Sequence, residues 1–236
     1  GRRAVGVTLA SGETLHGRRI VSNATRWDTF EKLLPPEKMP ASERRWQTRY
    51  RKSPGFLSLH MGVAADVLPP TTECHHILLN DWQQMEAARG TLFVSIPTLL
   101  DPSLAPEGYH IIHAFTPDWL ESWQHLPPDA YEQHKEAAAW NIVDRLEAIF
   151  PGLDAGLDYL EAGTPRTHRR FLGRDEGTYG PIPRRKLPGL LTMPFNRTAV
   201  PGLYCVGDST FPGQGLNAVA FSGFACAHRI AVDLGL

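Results

Sequence analysis

The first part of the chain alternates apolar and polar residues with a period of two. The apolar positions of this pattern, within residues 4–22, are Val5, Val7, Leu9, Leu15 and Ile20-Val21. Because Ser11-Gly12 supplies a turn between them, the pattern predicts a β-hairpin that runs into a buried strand. Pro35-Pro36 ends the helix that is expected to follow this strand. The Arg- and Lys-rich residues 37–52 are expected to form a solvated helix or loop.

Four short apolar runs in the middle of the chain are rich in β-branched and aromatic residues. They are FLSLHMGV (56–63), HHILLN (75–80), TLFVSIP (91–97) and YHIIHAFT (109–116). Their even spacing, with turn residues between them, predicts an antiparallel sheet. A helix is expected from Leu126 to about Phe150, since prolines suit its first turn and Pro151-Gly152 stops it. Its apolar stripe, which predicts packing on the sheet, consists of Ala139, Ile142, Leu146 and Ile149.

The last third of the chain combines a loop-rich stretch, a short strand and a long helix. Residues 164–201 are rich in proline and glycine and are expected to form a long loop, which in a compact domain is more often functional than idle. LYCVGD (203–208) is predicted as a short buried strand, and a helix is predicted from Leu216 to Leu234. These expectations together indicate the α+β class.

Composition narrows the classes of function. The 236 residues are 42% hydrophobic and 21% charged, which allows one large domain or two modest ones with a real core. The formal net charge of −1 gives no sign of a nucleic-acid-binding surface. Three cysteines without CxxC spacing argue for a reducing compartment and against a zinc site. No apolar run is long enough to span a membrane, and no signal peptide is indicated. Without an initiator Met, the chain is expected to begin inside a longer protein.

The stretch GLYCVGDSTFPGQGLNAVAFSG (202–223) contains the chemistry-bearing pattern Gly213-x-Gly215-x-x-Ala218. A dinucleotide-binding turn of this kind needs a following strand and an acidic residue about 20 positions on, and Asp233 has no strand to present it. A pyrophosphate cradle is therefore not predicted. A helix start that offers unpaired N–H groups to an anion remains, as does a plain turn. Asp208, at the strand end, can accept hydrogen bonds from a polyol.

The same stretch, continued to Gly235, resembles the C-terminal segment of carotenoid isomerases. These belong to the FAD-dependent phytoene-desaturase-like enzymes, which also include the retinol saturases. GVTLASGETLHGRRIVSNA resembles the hairpin and strand ahead of that family's substrate domain, and TPRTHRRFLGRDEGTYGPIP resembles the loop before its final flavin-binding segment. The resemblance extends over nearly the whole chain. It implies the C-terminal fragment of a flavoprotein, without the N-terminal dinucleotide-binding unit.

The resemblance also implies a domain plan and a cofactor. Residues 1–35 would be part of an FAD-binding domain, 36–175 an antiparallel-sheet substrate domain with helices, and 176–236 the returning FAD-binding segment. Asp208 would bind the ribityl or phosphate region, and the helix start would face the pyrimidine edge of the flavin, where its N–H groups favour the reduced form. The implied FAD contacts are Gly207, Asp208, Gly213, Gly215, Leu216, Asn217 and Ala218. No catalytic residue is identified.

The function implied is cis-to-trans isomerisation of a carotenoid, with a hydrophobic polyene as substrate. The alternatives are an all-trans-retinol 13,14-reductase, a carotenoid desaturase, or an inactive isolated domain that binds an apolar ligand or a partner chain. The implied location is the cytoplasm or the plastid stroma, with peripheral membrane contact left open. An apolar tunnel is expected for such a substrate. Its candidate walls are the four apolar β-runs together with Phe211, Phe221, Tyr179, Trp140 and Leu172.

Several other residues have chemistry that could mark a site. Cys74-His75-His76 is not expected to hold a metal, because adjacent strand residues point to opposite faces. His110 and His113 are expected to be structural strand residues. Arg174 and Asp175 lie in a charge-rich loop that is usually just solvated, but either could touch a flavin because the loop precedes the glycine-rich stretch.

Overall fold

The computed structural model of the protein describes residues 3–182 and 193–236. The chain forms two compact units. The split unit consists of Gly1–Ser53 and Thr178–Leu236, and the sheet unit is the continuous segment Pro54–Gly177. Residues 36–53 therefore lie in the split unit rather than with the middle segment. The assignment of FAD and substrate to separate domains stays a prediction.

In chain order, the described residues form nine strands and five α-helices. The strands are β1 Gly6–Thr8, β2 Thr14–His16, β3 Ile20–Ser22, β4 Gly55–Ala64, β5 His75–Leu79, β6 Thr91–Ser95, β7 Tyr109–Asp118, β8 Leu157–Gly163 and β9 Leu203–Cys205. The helices are α1 Arg26–Asp28, α2 Ala41–Arg49, α3 Pro128–Glu147, α4 Pro165–Leu172 and α5 Leu216–Leu234. A π-helical turn, Thr29–Leu33, continues α1. Short 3-10 turns lie at Pro36–Lys38, Ala65–Val67, Trp82–Gln84, Pro97–Leu99, Pro102–Leu104, Leu120–Ser122 and Asp175–Gly177.

The sheet unit contains a five-stranded sheet in the order β5-β6-β7-β4-β8. All of its neighbouring strands are antiparallel, which confirms the prediction for the four apolar runs. The fifth strand, β8, was not predicted from the sequence. Its pairing with β4 shifts register between Gly62 and Val63, and such an irregularity interrupts the alternation by which a strand is recognised.

One face of the sheet is covered by α3, as the apolar stripe predicts. Leu57 and Leu59 of β4 and Ile112 of β7 are fully buried, together with Ile142 and Leu146 of α3, and all five belong to one hydrophobic core. We call this the inner face of the sheet. Burial of these aliphatic side chains stabilises the unit by about 1.5–3 kcal/mol for each one.

The expectation of a continuous loop over residues 164–201 is wrong at α4. Thr164 caps this helix by accepting a hydrogen bond from the Thr167 amide, while the Thr167 hydroxyl accepts one from the Thr164 amide. Pro165 occupies the first turn, and Gly173 ends the helix in the left-handed conformation, with φ of 62°. Local capping therefore outweighs the Pro- and Gly-rich composition. Residues 183–192 of the predicted loop lie outside the described residues.

The split unit contains two small sheets made from both ends of the chain. Strands β1 and β2 form the predicted hairpin, with Val7 opposite Leu15. Strands β3 and β9 pair in parallel, with Val21 opposite Tyr204. The expectation that β3 is buried is wrong, because Val21 is 47% exposed. Among the described residues β3 has a paired strand on one side only, so its other edge keeps backbone groups available for pairing.

The Arg- and Lys-rich segment forms the largely exposed helix that was expected, with one buried exception. Within α2, Glu43 is buried and receives two hydrogen bonds from the guanidinium of Arg26, at 2.6 and 2.8 Å. That guanidinium also lies over the rings of Phe30 and Trp46. A buried ion pair joins α1 to α2, and its position could not be read from a run of charges.

Candidate functional site

The predicted site residues lie on the connection between β9 and α5. Gly207, directly after the strand, has φ of 89°, a conformation that strongly favours glycine. A Cβ atom at this position would also lie 2.5 Å from Oδ1 of Asn23, at the end of β3. Gly207 is therefore required both for the sharp turn and for the close approach of the two strand ends.

A buried hydrogen-bond cluster, centred on Ser222 of α5, fixes this turn. The Ser222 hydroxyl lies 2.6 Å from the Thr210 hydroxyl and accepts a hydrogen bond from the Gly207 amide at 3.2 Å. Asn196 donates to the Ser222 hydroxyl at 3.1 Å and to the Cys205 carbonyl at 2.9 Å. The cluster joins β9, the turn and the helix, so the glycine-rich segment is held in one conformation.

Asp208 follows Gly207 and is mostly buried. The Ser209 hydroxyl donates to its Oδ1 at 3.3 Å. Gly180 has φ of 106°, and a Cβ there would come within 2.5 Å of the Asp208 carbonyl oxygen, so this backbone is closely packed. The carboxylate is thus held at the carboxyl end of β9, where a strand edge commonly presents ligand-binding groups.

The start of α5 offers amide groups without an intrahelical partner. The first helical hydrogen bond runs from the Val219 amide to the Gly215 carbonyl, at 2.9 Å. The amides of Leu216, Asn217 and Ala218 therefore come before the first helical hydrogen bond. The N-cap residue, Gly215, has no side chain that could accept a hydrogen bond from them. Gly215 has φ of 101°, and a Cβ there would meet no heavy atom within 4 Å. This open helix start carries partial positive charge.

The seven predicted contacts therefore lie on the β9–α5 connection and the first turn of α5, with Gly207 and Asp208 near the end of β9 and the remaining five at the start of the helix. Their binding role stays a prediction. Sequence reasoning missed Asn196 and Thr210 as supports of the turn.

Two ionisable groups elsewhere in the split unit are explained by their structural contacts. Asp233 accepts hydrogen bonds from Tyr204 at 2.6 Å and from Arg229 at 2.7 Å, which lower the pKa of its carboxyl. It is thereby engaged at the far end of α5. Burial raises the pKa of the Cys205 thiol to about 11, which keeps it protonated and unreactive at neutral pH.

The histidines predicted to be structural make contacts within the sheet unit. His110 shares a hydrogen bond of 2.9 Å with the Thr98 hydroxyl, and the ring of His113 stacks on that of His60. His76 bonds the Glu73 carbonyl at 2.8 Å. In the described part of the chain, no group of three or more His, Cys, Asp or Glu side chains is arranged to hold a metal ion.

The remaining candidates fall in different units. Trp140, Leu172, Arg174 and Asp175 belong to the sheet unit, whereas Phe211, Phe221 and Tyr179 belong to the split unit. The rings of Phe211 and Phe221 lie 6.3 Å apart. Contact of any of these residues with a polyene or flavin stays a prediction.

A cavity of about 1210 Å³ lies elsewhere in the split unit. It is bordered by β1, β3, the turn at Leu33–Pro35 and residues 199–201. None of the seven predicted contacts lines it. The cavity is therefore a feature separate from the predicted contacts, and it is lined in part by β3 and β9.

The chain is 59% identical to the chloroplastic prolycopene isomerase of Arabidopsis thaliana over 236 residues, which cover 99% of this chain and 40% of that protein. The chain resembles prolycopene isomerase throughout. It spans about two fifths of the length of the prolycopene isomerases that it matches. No model of a known protein family matches the chain.

The chain is also similar, at lower identity, to other proteins named for carotenoid chemistry. A neurosporene-forming phytoene desaturase of Cereibacter sphaeroides is 27% identical over 246 residues, covering 98% of this chain and 46% of the desaturase. This confirms the predicted likeness to phytoene-desaturase-like proteins.

A solved structure, the cyclohexylamine oxidase of Brevibacterium oxydans, superposes with a TM-score of 0.58 at 17% identity, covering 98% of this chain and 47% of the oxidase. At that identity the likeness concerns the fold alone, and it agrees with the mixed α+β class. In the described residues, no helix is long and apolar enough to cross a membrane.

Proposed function

We propose that this chain is part of a flavin-dependent enzyme that converts a cis carotenoid into a trans isomer, with FAD as the flavin. The observation that carries the proposal is the 59% identity to a prolycopene isomerase along 99% of the chain. The substrate would be a hydrophobic polyene. A plastid location follows from the chloroplastic naming of that relative, and it is part of the same proposal.

The β9–α5 connection supports the cofactor part of the proposal. The Asp208 carboxylate can accept hydrogen bonds from ribityl hydroxyls, and the uncapped amides of Leu216, Asn217 and Ala218 can donate to an electron-rich ring edge. Open space in front of Gly215 leaves room for such a ring. The donor and acceptor set therefore fits a flavin.

The remaining surfaces of the split unit support a larger cofactor domain in the complete enzyme. In the part of the chain that the structure describes, β3 has a paired strand on one side only, and parallel sheets are normally covered and extended by further strands. On α5 the rings of Phe221 and Phe224 are 48% and 62% exposed, so a large apolar area lacks cover within the described residues. A dinucleotide-binding unit supplied by the rest of the enzyme would cover these surfaces.

A bound flavin supplies reversible electron or hydride donation, which lowers the order of a polyene double bond and permits rotation about it. The residues of this chain have supporting roles. Asp208 would hold the ribityl side, and the α5 amides would stabilise negative charge that accumulates on the ring. Isomerisation requires no net electron flow, whereas reduction of a double bond consumes two electrons.

Asp208→Ala in the full-length enzyme tests the cofactor site. A hydrogen bond to a charged group contributes about 1.5–3 kcal/mol, so FAD should be bound roughly tenfold to a hundredfold more weakly. The measurements are flavin absorbance per protein after dialysis and the dissociation constant by titration. Asp158→Ala, an exposed carboxylate on β8, is the matched control and should retain wild-type affinity. Equal FAD affinity in the wild type, Asp208→Ala and Asp158→Ala would mean that Asp208 does not bind the cofactor and only ends the strand.

Product mass tests the reaction. The full-length enzyme, with chemically reduced flavin and without oxygen, should change the absorption spectrum of a cis carotenoid and leave its mass unchanged. A product two hydrogens heavier would replace this proposal by a retinol-saturase-like reduction. A product two hydrogens lighter under oxidising conditions would indicate a desaturase. A colourless full-length protein without product would favour an inactive binding domain.

A further inference from the structure

Gln214 lies between two glycines immediately before α5. Gly213 and Gly215 have φ of 120° and 101°, conformations that favour glycine, and neither carries a side chain. Gln214 therefore supplies the only side chain of this three-residue segment. Its side-chain amide donates a hydrogen bond of 2.9 Å to the hydroxyl of Ser53. The start of α5 is thus tied to a segment that lies 161 positions earlier in the chain.

Ser53 is buried, and its hydroxyl has three partners. It accepts hydrogen bonds from the Gln214 side chain and, at 3.3 Å, from the Tyr179 amide. It also lies 3.3 Å from the hydroxyl of Thr178, which is fully buried. A serine hydroxyl has one donor and two acceptor positions, so these partners use all of them. The Ser53 amide donates in addition to the Gly180 carbonyl at 2.8 Å. We call Ser53, Thr178, Tyr179 and Gly180 the Ser53 hub.

The hub is held within the split unit by backbone contacts. Residues 51–53 and 178–182 run side by side, joined by backbone hydrogen bonds of 2.8 and 2.9 Å. Gly180 packs so closely on Asp208 that a Cβ atom there would lie 2.5 Å from the Asp208 carbonyl oxygen. The hub therefore reaches both groups of predicted FAD contacts, the backbone after β9 through Gly180 and the start of α5 through Gln214.

The hydrogen bond from Gln214 restrains the direction of the first α5 amides. The first helical hydrogen bond is that of the Val219 amide, so the three amides before it depend on the backbone conformation of Gly215. Because glycine is conformationally permissive, a helix start that follows two glycines has little local restraint of its own. The Ser222 cluster holds the turn at Gly207, at the first end of the β9–α5 connection. The bond from Gln214 to the hub holds the second end.

We propose that Gln214 is a positioning residue for the cofactor. Through Ser53 it fixes the direction of the amides of residues 216–218 and thereby increases the preference of the site for reduced over oxidised flavin. This inference rests on the proposed function, because it takes a flavin as the group that these amides meet. The reduced ring carries more negative charge, so correctly aimed donors stabilise it more than they stabilise the oxidised ring. Loss of the hydrogen bond to Ser53 weakens that difference and leaves the amides themselves in the chain.

The experiment measures the reduction potential of FAD in the full-length enzyme, by spectrophotometric titration against a dye of known potential. Gln214→Leu keeps a side chain of similar size without a donor. It should reduce the preference for reduced flavin about twofold to tenfold, the usual effect of one hydrogen bond. For a two-electron couple this makes the potential about 10–30 mV more negative. Ser53→Ala should also lower the potential, and the double variant Gln214→Leu/Ser53→Ala should lower it no further than Ser53→Ala does, because the two residues act as one tether. Gln133→Leu removes an exposed glutamine of α3 and should keep the wild-type potential.

A second readout needs no cofactor. Hydrogen exchange of the Val219 amide, measured on the full-length enzyme without FAD, should become about twofold to tenfold faster in Gln214→Leu, because the first turn of α5 opens more readily. Thermal melting is recorded for every variant, and Gln214→Leu alone carries the test if Ser53→Ala fails to fold.

The outcomes separate this inference from the proposed function. An unchanged potential in Gln214→Leu, or an equal shift in Gln133→Leu, overturns the positioning role even if Val219 exchanges faster. Additive shifts in the double variant overturn the route through Ser53. A wild-type enzyme that binds FAD and isomerises, while Gln214→Leu keeps its potential, fails only this inference. A wild-type enzyme that binds no FAD fails the proposed function, whereas faster Val219 exchange in Gln214→Leu still supports the tether.

Discussion

Replacement of Ser222 by alanine isolates the hydrogen-bond cluster that holds the glycine-rich turn. The hydroxyl is fully buried, and its loss leaves the buried Gly207 amide without its acceptor. In the variant Asn196 still donates a hydrogen bond to the Cys205 carbonyl, and the Thr210 hydroxyl still donates one to the Gly207 carbonyl at 2.8 Å. Neither Asn196 nor Thr210 is therefore left without a partner. One unsatisfied donor costs about 1–3 kcal/mol.

A smaller opposing contribution comes from helix propensity, because alanine is favoured over serine in a helix by less than about 0.7 kcal/mol. The expected net loss in the free energy of unfolding is therefore about 0.3–2.5 kcal/mol. Urea denaturation, followed by circular dichroism, measures it. Hydrogen exchange of the Gly207 amide gives a local readout and should become faster.

Ser42→Ala is the matched control, since Ser42 lies exposed in α2 of the same unit. It gains the same helix propensity without losing a buried acceptor, so its stability should equal or slightly exceed that of the wild type. If Ser222→Ala were as stable as Ser42→Ala and the Gly207 amide exchanged no faster, the cluster would not hold the turn in the way described.

Three further changes probe other parts of the molecule. Gly207→Ala should destabilise the split unit by at least about 1–2 kcal/mol because of the positive φ of Gly207 alone. The double variant Gly207→Ala/Asn23→Gly should recover only the part of the loss that comes from the close contact between the new Cβ atom and the Asn23 side chain. Urea denaturation measures both losses. Arg26→Met should lower the free energy of unfolding by about 3–5 kcal/mol, because it leaves Glu43 charged and buried. The double variant Arg26→Met/Glu43→Leu should regain most of that stability. Equal stabilities of the single and double variants would contradict a buried ion pair. Because the folded-state pKa of His113 is lowered, the unfolded chain binds more protons below about pH 6.5, so stability should fall as the pH falls through that range. His113→Gln should reduce this acid sensitivity in thermal melts, and an unaltered pH profile would speak against it.

Elements with a strong local signal were predictable from the sequence. Helix α5 begins and ends at the predicted residues, since Gly215 and Gly235 bound an apolar, proline-free run. Helix α4 was missed although its signals were present, namely Pro165 in the first turn and Gly173 after the last. Composition was given more weight there than capping.

Long-range pairing was not predictable, because it depends on partners far apart in the sequence. The sequence around Glu43 does not indicate Arg26 as its buried partner, and the sequence around Asn196 does not indicate Ser222 as its partner. The seven candidate FAD contacts could be named from the sequence because they lie within one short motif. Of the residues that hold that motif in place, Thr210 and Ser222 lie within residues 202–223, whereas Asn196 comes from a preceding segment, and only the folded structure relates them.

The pairing of β3 with β9 has a consequence for the order of folding. These strands come from residues 20–22 and 203–205, so their sheet cannot form until nearly the whole chain has left the ribosome. The sheet unit is continuous, from residue 54 to 177, and all of its strands are available earlier. Contacts of such high sequence separation form slowly, and domains fold as units during synthesis. Strand β3 therefore stays without its partner β9 until the whole sheet unit between them has been synthesised.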